Sequence, residues 1–285
     1  MKTKKTNGLK IPFLCDIMKR KMQIRQSGFF IGVALSVPFC SRRCFFMKNK
    51  RRIITLVVIF LLLAIISTVV YVFGFYIPEK RERAEQERLI REYYENKLEA
   101  YAVENAAADE YETDVAFLGD SLTDGYDLAK YYPEYKVSNR GIGGETSYGL
   151  YSRLDVSLYE LKPKALVMLI GGNNLNTMLE DYEKILEEFK NNVPNTKVIL
   201  CSLTAMGGDF AEKNKIAAYN NVVIKKLAAK YGYEFVDLYT PLFNVESGAI
   251  YDNYTSDGVH LTPEGYEVLT ACIKPAIAKV LTEAD

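Results

Sequence analysis

Hydrophobic and polar positions change rhythm twice along the chain. From Ile53 to Ile77 run 25 residues without a charge, mostly Ile, Leu, Val and Phe. At about 1.5 Å of rise per residue, an apolar helix of that length crosses about 30 Å of hydrocarbon. Residues 79–112 are then charge-dense and free of Gly and Pro, with Glu79/Arg83 and Glu87/Arg91 at helical i, i+4 spacing. Ile90, Tyr94, Leu98 and Tyr101 recur every three or four residues and give this second helix one apolar face. That face predicts docking on the domain that follows, with pairing to a second copy as the alternative.

From Thr113 onward, short apolar runs alternate with longer helical patterns. Val115–Leu118, Tyr135–Ser138, Ala165–Ile170, Lys197–Cys201 and Glu234–Leu238 read as strands, and helices fill 145–160, 177–191, 211–231 and 264–282. This βαβ alternation predicts an α/β domain over residues 113–285, its sheet mostly parallel and covered on both faces. Ligands of such open sheets bind beyond the carboxyl ends of the strands, so the segments after each strand carry the chemistry.

Charge sharpens the division. The 36 basic and 36 acidic side chains cancel overall, yet residues 1–52 hold 14 Lys and Arg against Asp16 alone, leaving 22 basic and 35 acidic residues for the rest. An acidic domain has no surface to neutralise phosphates, which argues against nucleic acid as a partner. A basic tail before an apolar run predicts a membrane protein with a cytoplasmic tail (1–52), a transmembrane signal anchor (53–77), a helical juxtamembrane linker (78–112) and an extracytoplasmic domain. A cleaved signal peptide fits less well. Its apolar region is usually about 7–15 residues and ends in small side chains, whereas this run ends Val72-Phe73-Gly74-Phe75-Tyr76-Ile77. Phe29–Phe39 is too short to span, and Met47 followed by Lys48-Asn49-Lys50-Arg51-Arg52 predicts translation from Met47, leaving residues 1–46 without a role.

Cysteine and histidine usage excludes the usual metal centres. Cys15, Cys40, Cys44, Cys201 and Cys272 contain no C-x-x-C pair, and the chain has one His. Cys201 and Cys272 each sit in an apolar segment, which predicts free, buried thiols rather than a disulfide.

Four segments at strand ends bring acyl-transfer chemistry together. They are Gly119-Asp120-Ser121-Leu122-Thr123-Asp124-Gly125, Asn139-Arg140-Gly141-Ile142-Gly143-Gly144-Glu145-Thr146, Gly171-Gly172-Asn173-Asn174 and Asp257-Gly258-Val259-His260. A serine hydroxyl needs a base to become a nucleophile, and imidazole, with a reference pKa of about 6.5, removes its proton near neutrality. His260 is the sole imidazole, and Asp257, three residues earlier, is placed to orient the ring. The backbone N–H groups of Ser121 and Gly144 and the side-chain amide of Asn173 are the candidate oxyanion donors. Asp120 and Asp124 read as loop supports. Gly141-Ile142-Gly143-Gly144 is not a dinucleotide loop, because Thr146 stands where the third glycine belongs, and Ser121 lacks the G-x-S-x-G setting of ordinary α/β-hydrolases.

These four blocks resemble those of the SGNH hydrolases, the GDSL esterase and lipase superfamily, over about residues 113–285. The resemblance implies a flavodoxin-like three-layer α/β/α fold, with Ser121 as nucleophile, Asp257 and His260 completing the triad, and Gly144 and Asn173 completing the oxyanion hole. The stretch Asn139 to Leu154 with Lys162-Pro163-Lys164 is most similar to the branch of platelet-activating-factor acetylhydrolase and microbial carbohydrate acetylesterases, although Gly172 and Glu145 depart from its pattern. The expected protein is a membrane-anchored serine esterase needing no cofactor, acting on short acyl esters, acetyl foremost, of a small molecule or glycan. A lipase or lysophospholipase, an O-acetyltransferase with the same triad, and a catalytically silent binding or scaffold module are the alternatives. The sequence leaves the oligomeric state open.

Overall fold

The computed structural model describes residues 50–282; residues 1–49 of the basic tail, with the expected start at Met47 and Cys15, Cys40 and Cys44, lie outside them. The chain divides into two units, with the boundary between Leu89 and Ile90.

In the first unit, α1 (Lys50–Tyr71) passes through one wide π turn (Val72–Tyr76) into α2 (Ile77–Ala107). The wide turn has a local cause. Pro78 has no N–H to return to the carbonyl of Gly74, and its ring crowds that carbonyl. The helix accommodates this by letting the Ile77 N–H donate to the Val72 carbonyl, five residues back. Every side chain from Arg52 to Tyr71 is exposed. A helix apolar on all sides and buried against no protein has the length and composition of a membrane span.

The second unit is built on five parallel strands, β1 (Val115–Gly119), β2 (Val137–Gly141), β3 (Ala165–Leu169), β4 (Lys197–Cys201) and β5 (Glu234–Val236), in the order β2-β1-β3-β4-β5. This is the flavodoxin-like order that the resemblance implied. Alternate side chains of each strand enter opposite cores. Ala116, Leu118, Leu166 and Met168 face one core, covered by α4 (Ser147–Ser152), α5 (Leu179–Asn192) and α6 (Asn214–Tyr231). Val115, Phe117, Val167 and Leu169 face the other, beneath α7 (Pro263–Thr282) and a cluster of tyrosines. The result is three layers with β1 and β3 buried at every position.

Three boundaries differ from expectation for physical reasons. β2 lies two to three residues later than Tyr135–Ser138, because its register is set by pairing Val137 with Val115 and Gly141 with Gly119, and its polar residues are buried under other elements. The single helix expected at 145–160 is two pieces, α4 and a π turn (Asp155–Tyr159), separated at Arg153, whose side chain turns inward. β5 stops at Val236, since the Asp237 carboxylate caps the turn that follows by accepting from the N–H groups of Tyr239 and Thr240. A two-stranded hairpin, Phe243–Asn244 with Ala249–Ile250, is too short to leave a sequence signal. Cys201 is buried and Cys272 half-buried, and both thiols are free.

Residues 90–107 of α2 belong to the second unit. Tyr101 is buried and Tyr94 and Leu98 are half-buried, as the apolar spacing predicted, whereas Ile90 is exposed. Tyr93, Lys97 and Asn105 also face inward, a polar stripe that the hydrophobic pattern could not reveal.

Glycine lets the carboxyl end of β2 approach the helical turn that follows β1. A Cβ on Gly141 would stand 2.2 Å from the backbone nitrogen of Asp124, the last residue of the short helix α3 (Ser121–Asp124). Backbone cannot yield as a flexible side chain does. Gly141→Ala is therefore expected to destabilise the domain by about 3 kcal/mol or more, at the upper end of overpacking costs. Thermal unfolding followed by circular dichroism checks this, and an unchanged midpoint would mean that α3 is free to move off β2.

Candidate active site

Ser121 opens α3 directly after β1. The Asp120 side chain caps this helical turn by accepting from the Leu122 N–H at 3.1 Å. The Ser121 N–H, at the first helical position, has no carbonyl four residues back and is available to a ligand.

His260 arrives from the other end of the sequence, on the loop before α7. Gly258 turns this loop with φ 91°, and a Cβ there would meet the Gly207 carbonyl oxygen at 2.3 Å. The Gly207 N–H donates to the Gly258 carbonyl at 2.7 Å, and the Thr255 hydroxyl donates to the His260 carbonyl at 2.9 Å. Within the turn, Asp257 Oδ1 accepts from the backbone N–H groups of Val259 (3.0 Å) and His260 (2.8 Å). Its other oxygen, Oδ2, faces His260 Nδ1 at 2.9 Å. The ring's Nε2 lies 3.1 Å from Ser121 Oγ. One carboxylate thus both shapes the loop and orients the imidazole, which fixes the tautomer with hydrogen on Nδ1 and leaves Nε2 free to accept from the serine.

Asn173 sits in a 3₁₀ turn (Gly172–Asn174) after β3, entered through Gly171 at φ 117°. Its Nδ2 donates to the Glu145 carbonyl at 2.8 Å, and the amide retains a second hydrogen. Ser121 and Asn173 line the same cleft with Leu169, Leu203, Met206 and Val259. Gly144, exposed and with φ 80°, is outside that lining, one residue before the carbonyl that Asn173 holds. Ser121, His260 and Asp257 are therefore joined in a hydrogen-bonded series, Asn173 shares their cleft, and Gly144 stands on the adjoining turn.

Several supporting groups carry no motif. Glu145 and Arg153 form a buried ion pair at 3.0 Å. Arg153 also donates to the carbonyls of Arg140 (3.1 Å) and Gly119 (3.2 Å), at the ends of β2 and β1. Asn139 Nδ2 donates to the Thr123 carbonyl at 2.7 Å, and its Oδ1 accepts from the Gly141 N–H at 2.9 Å. Asp120 and Asp124 are supports, as expected: Asp120 caps α3, and Asp124 accepts from Tyr93 and Lys97 of α2. Only the position of Asp120, directly before the helical turn it caps, could have hinted at any of these from sequence.

A hydroxyl, an imidazole and a carboxylate in series, with amide donors beside them, define the class of nucleophilic serine hydrolases. Within it, the model of the GDSL-like Lipase/Acylhydrolase family matches residues 117–268, and the chain belongs to that family of ester hydrolases. The platelet-activating factor acetylhydrolase IB subunit alpha2 of Rattus norvegicus is 29% identical over 185 residues, covering 60% of this chain and 79% of that protein. A solved chain from Streptococcus pneumonia, named for platelet activating factor, is 25% identical with a TM-score of 0.61, covering 70% of this chain and 99% of its own. A GDSL-like lipase from Bacteroides thetaiotaomicron is 30% identical with a TM-score of 0.57, covering 64% of this chain and 97% of its own. These findings bear out the resemblance read from the four blocks.

Asp120 is 4% exposed, and burial pushes its carboxyl from the ordinary 3.8 up to about 6, against the opposing pull of the Leu122 N–H and His260. The folded state thus holds this proton more tightly than the unfolded chain, and stability declines as pH rises from about 4 to about 6. Asp120→Asn keeps an acceptor for Leu122 and removes the ionisation. Its melting temperature is expected to exceed that of the wild type at pH 8, with the gain shrinking at pH 4.5. An equal shift at both pH values would show that ionisation of Asp120 is not the cause.

Proposed function

We propose that this chain is a membrane-anchored esterase whose extracytoplasmic domain removes short acyl groups, acetyl foremost, from a glycan ester. The observation that carries the reading is the unbroken Asp257–His260–Ser121 series, with spacings of 2.9 and 3.1 Å, opening on one cleft. Ser121 attacks the ester carbonyl as His260 takes its proton. The resulting imidazolium is stabilised by Asp257 and returns the proton to the leaving alkoxide. Water, deprotonated by His260, then attacks the acyl-enzyme and releases the acid. The developing oxyanion takes hydrogen bonds from the Ser121 and Gly144 N–H groups and the Asn173 amide. No step calls for a cofactor.

The cleft supports the preference for short chains. It encloses a cavity of about 20 Å³, bounded by Leu169, Leu203, Met206 and Val259. That is room for about one water-sized group, which suits a methyl and not a fatty chain. The acetylhydrolase name of the rat relative points the same way. Membrane anchoring rests on the apolar helix with basic residues before it, which holds the N-terminus inside by the positive-inside rule. A glycan is the acyl carrier that this location favours.

The test is hydrolysis of p-nitrophenyl acetate, butyrate and octanoate by the detergent-solubilised full chain. Acetate is expected to be cleaved best, and Ser121→Ala to retain at most about one thousandth of the turnover. Preference for octanoate would replace the acetyl reading with a lipid one, and an active Ser121→Ala would remove Ser121 as nucleophile. Asn173→Ala is expected to lower kcat by about 10²–10³-fold, the usual effect of deleting one oxyanion donor. Near-normal turnover would take Asn173 out of the hole.

A further inference from the structure

The turn that presents Gly144 is closed by one backbone hydrogen bond, from the Glu145 N–H to the Ile142 carbonyl at 3.2 Å. Gly143 and Gly144 are consecutive, and glycine imposes the weakest restraint on φ and ψ of any residue. An oxyanion donor is effective only if it is fixed before charge develops, so contacts that add to this single bond bear on how well the donor is held.

The inner face of α2 supplies contacts of that kind. The Tyr93 hydroxyl accepts from the Gly143 N–H at 3.3 Å and donates its own hydrogen to Asp124 Oδ2. Lys97 pairs with the other oxygen, Asp124 Oδ1. One turn further on, the Tyr101 hydroxyl donates to the Gly141 carbonyl at 2.7 Å. Asp124 closes α3, the helical turn that Ser121 opens, and its N–H donates to the Asp120 carbonyl at 2.9 Å. A single phenol oxygen therefore bridges the helical turn of the nucleophile and the peptide next to Gly144. Burial and the Asp124 carboxylate both push the Tyr93 hydroxyl above its ordinary value, so it remains a neutral donor at working pH.

The geometry points to Tyr93 as a positioning residue of the esterase, fixing the Ile142–Gly143 peptide and, through the Gly143 Cα it shares, the adjoining Gly143–Gly144 oxyanion donor in register with Ser121; this rests on the function proposed above. Tyr93, read from sequence as part of the helical juxtamembrane linker, would then be part of the machinery that sets turnover. Lys97 shares the Asp124 contact but not the Gly143 contact, which separates docking of the helix from control of the donor.

The test compares Tyr93→Phe and Lys97→Met in the detergent-solubilised full chain, with p-nitrophenyl acetate as substrate. Tyr93→Phe is expected to lower kcat about 10-fold with KM changed less than about 2-fold, since an oxyanion donor acts on the transition state rather than on bound ester. Lys97→Met is expected to stay within about 3-fold of wild-type kcat, although it too loses a contact to Asp124. In an Asn173→Ala background, Tyr93→Phe should cost less than it does alone, because the two act on one hole. Equal kcat losses in the two variants, or a Tyr93→Phe effect confined to KM, would reduce Tyr93 to a docking contact and overturn the inference while leaving the esterase reading intact. If Tyr93→Phe melts well below wild type, titration of folded enzyme with a fluorophosphonate that labels Ser121 sets the active fraction, and the same kcat comparison is made per labelled site. A wild-type chain that neither hydrolyses the ester nor takes the label would remove the esterase reading, and this inference with it.

Discussion

The buried guanidinium of Arg153 is the constraint on which the catalytic edge of the sheet depends. It meets the Glu145 carboxylate at 3.0 Å, the carbonyls of Arg140 and Gly119, and the Ser157 hydroxyl at 2.7 Å. Those partners belong to the end of β2, the end of β1, the turn bearing Gly144 and the π turn that follows α4. A buried charge is tolerated only when its hydrogen-bonding capacity is filled, and stranding one partner of such a pair costs about 3–5 kcal/mol. The arrangement also explains why the helix expected at 145–160 breaks at Arg153: the side chain that would point along its surface is needed beneath it. Gly149 makes the same point from the opposite side, since a Cβ there would fall 1.7 Å from Glu145 Oε1. The carboxylate can fold back to Arg153 only over a residue without a side chain.

A second set of contacts brings the two ends of the domain's sequence together. Tyr266, on α7, donates from its hydroxyl to the Leu122 carbonyl at 2.9 Å, joining the helix behind His260 to the one behind Ser121. Its ring stacks on Tyr126, with centroids 4.8 Å apart. Tyr126 in turn shares hydrogen bonds with Tyr132 (3.0 Å) and Thr270 (2.6 Å). Aromatic rings contribute rigid apolar area while their hydroxyls find partners, so the cluster fixes the serine-to-histidine distance without a buried charge. The charged brace and the aromatic brace therefore divide the work, one setting the side of the donors and the other the side of the base.

What could be read from sequence follows from this division. β1, β3 and β4 were readable because a parallel strand buried on both faces is a continuous apolar run, and no polar neighbour disturbs it. β2 was misplaced because it carries a buried Arg140 and a half-buried Asn139, so the pattern pointed to the more apolar Tyr135 instead. Ser121, Asp257 and His260 were readable because their chemistry is scarce: one imidazole in the chain leaves a single candidate base, and the Asp three residues before it is a local relation. Glu145, Tyr93 and Lys97 were not readable as supports. Glu145 turns inward to Arg153, eight residues on, and nothing nearby in sequence says that Tyr93 meets a peptide N–H 50 residues away or Lys97 a carboxylate 27 residues away.

The same geometry bears on whether the acyl group would pass to water or to another acceptor. An acyltransferase has to keep water from its acyl-enzyme, which requires a closed approach to the base. The His260 side chain is instead 33% exposed, while its partner Asp257 is only 9% exposed. The carboxylate is thus shielded, where a low dielectric strengthens its hold on the imidazolium, while the imidazole side chain keeps partial contact with solvent. The cleft beside Ser121 is narrow, with about 20 Å³ open to a water-sized group. Specificity for the alcohol then has to come from the rim, whereas water needs no pocket to reach Nε2. That asymmetry favours hydrolysis over transfer as the fate of the proposed acyl-enzyme.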